Sequence, residues 1–295
     1  MSGRLFSDLT QTGIALAAVG AFLFVVQDSS IKWVSTSMGI VQILFLRNLI
    51  AMGLLSSGAA LTGRPIKLKT SNVKLLVVRS LVGVVGWYCF FAGLKYLPLA
   101  TVMALFFSFP IFLTALSVPL LGDTVGPRRW AAVLVGFVGV LLITRPGTAL
   151  EWPMLYVLGA SFSWAMVAIL TRKLGKTEST STMVFYALAA FVVIMAVPIY
   201  WVWETPSLND LALVSLAALV GVSAQMCLIR AYAIAEPSVI GPMEYTGLVW
   251  AALFGYMIWG DVPGTFTIAG GLVIAASGLY IIHREAGGFR RGLRR

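Results

Sequence analysis

Ten apolar stretches follow one another along this chain with only short breaks between them. They cover residues 9–33, 40–61, 73–94, 98–120, 129–145, 153–171, 181–202, 209–230, 238–259 and 265–283. Most are near the roughly 20 residues that a helix needs to cross the hydrocarbon core of a bilayer. The pattern predicts an all-α membrane protein of ten transmembrane helices. The breaks hold residues that end helices: Gly63-Arg64-Pro65, Leu97-Pro98, Gly126-Pro127, Arg145-Pro146-Gly147, Thr205-Pro206 and Val262-Pro263-Gly264. Composition agrees. A hydrophobic content of 59% and a mean hydropathy of +0.94 exceed what a soluble core could hide.

The second half resembles the first. At an offset of 138 residues Gly83 falls on Gly221, Cys89 on Cys227, Gly122 on Gly260, Asp123 on Asp261 and Gly126 on Gly264. Leu134, Val135, Leu141 and Ile143 fall on Leu272, Val273, Leu279 and Ile281. The reading is two five-helix repeats, residues 1–145 and 146–284, followed by a basic tail, 285–295, expected to lack fixed structure. Five helices per repeat make the two halves inverted with respect to each other, which places a binding site near the membrane midplane where they meet.

The net charge of +10 reads as topology rather than as nucleic-acid binding. With the N-terminus in the cytoplasm, the inner side receives Arg4, Arg64, Lys67, Lys69, Lys74, Arg79, Arg128, Arg129, Arg172, Lys173, Lys176, Arg230, Arg284, Arg290, Arg291, Arg294 and Arg295. The outer side receives only Lys32, Lys95 and Arg145. This is the positive-inside asymmetry. It requires an even number of spans and puts both termini in the cytoplasm of a bacterial inner membrane. The first apolar run continues to Trp33 behind a single basic residue, Arg4, and reads as a retained span, not a cleaved signal.

Charges inside spans are costly and mark candidate sites. Asp28 and Lys32 stand four apart in span 1, acid first, the order that favours a helical ion pair. They are candidates for coupling or gating. Arg47 and Asn48 lie in the middle of span 2, where Arg47 must face protein or water. It either packs on carbonyls or an acid, or binds a substrate carboxylate. Glu244 in span 9 follows Gly241-Pro242 and is a third coupling candidate, with Arg47 as a conceivable partner. Gln225 in span 8 and Ser161 and Ser163 in span 6 are weaker candidates, explained by interhelical hydrogen bonds. Among the mid-span aromatics, Trp87, Tyr88, Phe107, Trp164 and Tyr245 suit the wall of a cavity for a bulky, partly apolar solute. Glycines at 83, 86, 136, 139, 270, 271 and 278 suit close helix packing.

No cofactor or metal is expected. Cys89 and Cys227 lie inside apolar spans and read as packing residues, and no set of His, Cys, Asp and Glu has ligand spacing. The sole histidine, His283, is peripheral, so no nucleophile with a base can be assembled within the spans and no enzyme is expected. The expected partners are a small-molecule substrate and the lipid bilayer. A monomer suffices, because both repeats are in one chain.

Several stretches carry a family texture: Phe45-Leu46-Arg47-Asn48-Leu49-Ile50-Ala51, Ala92-Gly93-Leu94-Lys95-Tyr96-Leu97-Pro98-Leu99-Ala100, Glu236-Pro237-Ser238, and the Gly122-Asp123 and Gly260-Asp261 breaks. With these the chain resembles the EamA-like branch of the drug/metabolite transporter superfamily, with Asp where that family usually has Glu after the glycine. The resemblance implies alternating access around a cavity walled by spans 1, 3, 4, 6, 8 and 9. Within the group, exporters of aromatic and other amino acids fit the mid-span rings best. Importers of riboflavin or another flat aromatic metabolite, and multidrug or nucleoside transporters, share the fold.

Overall fold

A computed structural model describes residues 2–61, 63, 70, 72–122, 126–145, 151–174, 177–234 and 243–292. Among them every regular element is helical. The helices are α1 (Ser2–Val34), α2 (Ile40–Leu61), α3 (Val73–Tyr96), α4 (Leu99–Phe106), α5 (Phe109–Leu121), α6 (Pro127–Thr144), α7 (Trp152–Leu174), α8 (Thr180–Met195), α9 (Ile199–Val202), α10 (Leu208–Ile234), α11 (Thr246–Phe254) and α12 (Thr265–Gly292). A π-helical turn, Gly255–Trp259, extends α11.

Six continuous or nearly continuous helices are long and apolar enough to cross a bilayer: Gln11–Val34, Ile40–Leu61, Val73–Tyr96, Leu99–Leu121, Trp152–Thr171 and Leu208–Ala231. Four apolar helices are shorter: Trp130–Thr144, Ser181–Met195, Thr246–Trp259 and Thr265–Tyr280. Two expected spans are interrupted. The stretch 98–120 breaks at Phe107 and Ser108, and 181–202 breaks at residues 196–198. Both breaks precede or contain a proline, Pro110 and Pro198, which has no N–H to give the carbonyl one turn back. The basic tail departs from expectation, because α12 continues as helix through Gly292. No proline intervenes, although Gly287 and Gly288 are poor helix formers.

The repeated Gly-Asp breaks end their helices in the same way. Gly122 closes α5 at φ 70° and Gly260 closes the π turn at φ 70°, the left-handed region that favours glycine. Asp123 lies outside the described residues, as do the 146–150 break, Glu236-Pro237-Ser238 and Gly241-Pro242.

Helices pair where side chains vanish. The chief pairs are α1 with α10, α3 with α7, and α6 with α12, followed by α2 with α8 and α5 with α7; α4 also meets α11. A Cβ on Gly20 of α1 would stand 3.2 Å from the Ala224 carbonyl of α10. One on Gly86 of α3 would stand 2.8 Å from Ser163 Cβ of α7. Gly139 and Gly270 face each other between α6 and α12, where a Cβ on Gly139 would come within 2.8 Å of the Gly270 carbonyl. Ser277 Oγ of α12 donates across the same pair to the Ala132 carbonyl at 2.5 Å. The opposite face of α6, with Leu134, Val135, Phe137 and Val138, is exposed, as a lipid-facing surface requires. Gly139→Leu is therefore expected to lower the thermal midpoint of the detergent-purified protein by an overpacking cost of about 1–3 kcal/mol or more. Leu134→Ala, at a position 65% exposed, is expected to leave the midpoint nearly unchanged in the same measurement.

Candidate functional site

The middle of the molecule holds a buried polar chain of four side chains from two helices. Gln27 and Asn48 are fully buried, and Asp28 and Arg47 nearly so. On α1, Gln27 Nε2 donates to Asp28 Oδ1 at 3.0 Å. From α2, Arg47 Nη2 donates to Gln27 Oε1 at 2.5 Å and Nη1 donates to Asn48 Oδ1 at 3.2 Å. Asn48 Nδ2 is held by its own helix, donating to the Leu44 carbonyl at 2.7 Å. The Gln27 amide thus stands between the carboxylate of Asp28 and the guanidinium of Arg47, and the oxygens that Arg47 holds are both neutral. Gly221 of α10 closes this contact from the third side: a Cβ there would collide with Gln27 Oε1 and approach Arg47 Nη2.

An aromatic wall adjoins the cation. The Arg47 guanidinium lies 5.8 Å from the centroid of the Trp87 ring, within cation–π range. Trp87 stacks on Phe91 at 5.3 Å and 15°, and meets Trp164 of α7 edge-on at 5.3 Å. Trp164 leads on to Phe106 at 6.2 Å, and Phe106 to Phe90 at 5.0 Å. Phe107 and Tyr245 form a separate stack, 4.7 Å apart and tilted by 30°. These two residues are 138 positions apart, so they are repeat equivalents that meet each other.

The interruption after α4 feeds this wall. Pro110 cannot donate to the Phe106 carbonyl. Ser161 of α7 replaces it, its Oγ lying 3.0 Å from the Phe106 carbonyl and 3.2 Å from that of Leu105. Ser161 therefore has the interhelical role that the sequence suggests, and it fixes the backbone that carries Phe106 and Phe107. Four buried polar atoms have no hydrogen-bond partner among the described residues: Ser29 Oγ, Arg47 Nε, Ser108 Oγ and Tyr245 Oη. Unsatisfied buried groups are rare in folded proteins, and these lie on α1, on α2 and at the starts of α5 and α11.

The Asp28–Lys32 pair suggested by spacing does not form. Lys32 is near the end of α1, where its Nζ donates to the Leu97 carbonyl at 2.7 Å and reaches Asp261 Oδ2 at 3.4 Å. It also lies 4.9 Å from the centroid of Trp259. Asp28, one turn deeper, is turned to Gln27 instead. Nor does Arg47 pair with Glu244; its hydrogen bonds go to Gln27 and Asn48. Tyr88 is 39% exposed and Gln225 is exposed, so neither joins the cluster. A helical step turns Tyr88 about 100° from Trp87, and on α10 the small Gly221 and Ala224 face inward while Gln225 does not. The sequence named none of Gln27, Gly221 and Asp261 as a site residue, although Gly221 and Asp261 stood out as repeat matches. Gln27 stood beside a named acid, but Asp261 is 229 residues from its partner.

The profile of the EamA-like transporter family matches residues 11–145 and again residues 151–283. The chain belongs to the EamA-like transporter family. It is a multi-pass membrane transporter of small molecules. Among its relatives in the family, the pseudopaline exporter CntI of Pseudomonas aeruginosa is 27% identical over 95% of this chain and 99% of its own. An S-adenosylmethionine uptake transporter of Rickettsia bellii is 32% identical over 74% of this chain and 75% of its own. A riboflavin transporter of Vibrio cholerae is 30% identical over 76% of each. None of these three is named for an aromatic amino acid. One solved crystal structure superposes with a TM-score of 0.62 at 16% identity, over 93% of this chain and 95% of that one, a likeness of fold.

At the end of α1, Lys32 is tied by its ion pair to Asp261 in the turn that follows Gly255–Trp259, and by its hydrogen bond to Leu97 between α3 and α4. Lys32→Met and Asp261→Asn are each expected to lower the thermal midpoint. Combined, they should lower it by less than the sum, with a coupling of about 0.5–1 kcal/mol for this partly exposed pair. Strict additivity in the double-mutant cycle would show that the two side chains do not interact.

Proposed function

We propose that this protein is an alternating-access transporter of a bacterial inner membrane that exports aromatic or other amino acids. The observation that carries the reading is the Arg47 guanidinium, buried and held by neutral oxygens, over the face of Trp87. A cation beside a wall of rings suits a solute with a carboxylate at one end and an aromatic side chain at the other. Arg47 and Asn48 would take the carboxylate, and Trp87, Trp164, Phe107 and Tyr245 the side chain.

Two inverted halves, 1–145 and 146–284, underlie the proposed mechanism. Helix packing supports them. Replacing each helix by its counterpart in the other half turns the α1–α10 pair into α7–α3, and leaves α6–α12, α2–α8 and α4–α11 as they are. The stack of Phe107 on Tyr245, equivalent residues in contact, is what an axis between the halves would produce. Lys32 with Asp261 and Leu97 would act as a gate at the outer end. Asp28 and Glu244 are the groups through which protons would couple to transport. The basic asymmetry of the breaks supports cytoplasmic termini.

A second reading is import of riboflavin or another flat aromatic metabolite. The riboflavin transporter of Vibrio cholerae supports it, as does the aromatic wall, which would serve such a ring system without Arg47. Purified protein in liposomes, tested with radiolabelled phenylalanine, leucine and riboflavin with and without a pH gradient, separates the two. On the amino-acid reading, phenylalanine moves saturably and faster than leucine. Trp164→Ala is then expected to raise its KM about tenfold, for the loss of ~1.4 kcal/mol of ring contact. Arg47→Gln should abolish its transport. Movement of riboflavin alone, unaffected by Arg47→Gln, would replace the exporter by the importer. If protons drive the cycle, Glu244→Gln or Asp28→Asn removes the response to the gradient, and an unchanged response in both would eliminate these residues from coupling.

A further inference from the structure

The Arg47 guanidinium has two edges that can grip a carboxylate with a pair of parallel N–H bonds. The edge formed by Nη1 is taken by Asn48 of the same helix. The other edge presents Nε and Nη2. Here Nη2 is held by Gln27 Oε1 at 2.5 Å, while Nε is buried with no partner among the described residues. The residue as a whole is 8% exposed. A buried guanidinium donor without an acceptor is a costly arrangement, and here it sits at the half-filled end of a fork made for two oxygens.

The neighbours explain how the edge stays half-filled. Asp28 is the nearby acid, yet its Oδ1 accepts from Gln27 Nε2 at 3.0 Å rather than from Arg47. Its carboxyl group is kept one amide away from the cation. Gly221 of α10 stands against the same edge, and any Cβ there would strike Gln27 Oε1 and come within 2.8 Å of Arg47 Nη2. The space on that side of the fork exists because residue 221 has no side chain.

We propose that Gln27 is a placeholder for a solute carboxylate. Its amide oxygen occupies one of the two positions on the Nε–Nη2 edge when the site is empty of solute, and is displaced when a carboxylate takes both. Gln27 Oε1 sits where a Cβ on residue 221 would stand, so the exchange takes place against the bare backbone of Gly221. A neutral amide oxygen is the weaker acceptor, so an ionised carboxylate wins the exchange, and Asp28 keeps its bond to the Gln27 amide nitrogen. Gln27 is thereby a specificity-determining residue: it sets how strongly a solute must bind Arg47 before it is accepted. This inference deepens the amino-acid reading above and rests on its assignment of Arg47 to a carboxylate.

The test is binding to the purified full-length protein in detergent, by isothermal titration with 3-phenylpropionate and with phenethylamine, which carries the same ring and no carboxylate. Gln27→Ala removes the placeholder and is expected to bind 3-phenylpropionate about tenfold more tightly than the unaltered protein. Gln27→Glu fills the fork with a tethered carboxylate, and Gly221→Ala presses a methyl group onto it; each is expected to weaken binding about tenfold or more. Affinity for phenethylamine should change in none of them. The placeholder is overturned if Gln27→Ala binds 3-phenylpropionate no more tightly than the parent, or if neither binds it. Should Gln27→Ala not yield folded protein, parental affinity in Gln27→Glu or Gly221→Ala overturns it equally. The exporter reading fails separately: if 3-phenylpropionate binds as expected while no amino acid moves in liposomes, the carboxylate site stands and the substrate is another carboxylate.

Discussion

Close approach of helices is the constraint on which this structure depends. Between helices in lipid there is no hydrophobic drive, because acyl chains are as apolar as leucine, and association rests on packing and on interhelical hydrogen bonds. Gly20 against Ala224, Gly86 against Ser163 and Gly139 against Gly270 let three helix pairs come to backbone contact. Those three pairs hold the frame. They also determine what lies between them, since the polar chain of Gln27, Asp28, Arg47 and Asn48 occupies the space that α1 and α2 share with Gly221 of α10.

A buried charge in such a frame has to be accommodated by geometry. Lys32, near a helix end, reaches a carboxylate and a backbone carbonyl and so is met by opposite charge. Arg47, in mid-helix, is met only by amide oxygens and an aromatic face. The difference separates a cation met by opposite charge from one met by neutral groups. The aromatic wall depends on the same economy of backbone groups, because the break before Pro110 leaves the Phe106 carbonyl without its helical donor and the Ser161 hydroxyl comes within 3.0 Å of it.

Much of the architecture was legible in the order of residues. Apolar run length specified helices, the 138-residue offset pointed to related halves, and Gly86, Gly139 and Gly270 foretold two of the three close crossings, while Gly20 at the third was not among the glycines named. Arg47, Asn48, Trp87 and Trp164 were visible as candidates because charge and large rings in mid-span are conspicuous, and the structure brings them together. Tyr88 and Gln225 were named on composition alone and face elsewhere, since helical phase is decided by which neighbour a helix meets. The Asp28–Lys32 pairing failed for the same reason: spacing of four permits a contact on one helix but does not outweigh better partners on others.

What the sequence by itself determined, then, is the set of local quantities: helix against strand, span against break, the left-handed closures at Gly122 and Gly260, and membership of a transporter family. Each follows from the hydropathy and stereochemistry of residues near one another in the chain. Only the tertiary structure decided that Gln27 stands between Asp28 and Arg47, that Lys32 meets Asp261 from 229 residues away, and that Gln27 Oε1 lies where a side chain at residue 221 would stand. These depend on the relative placement of separate helices, which is set by packing summed over the whole bundle and is written in no single segment.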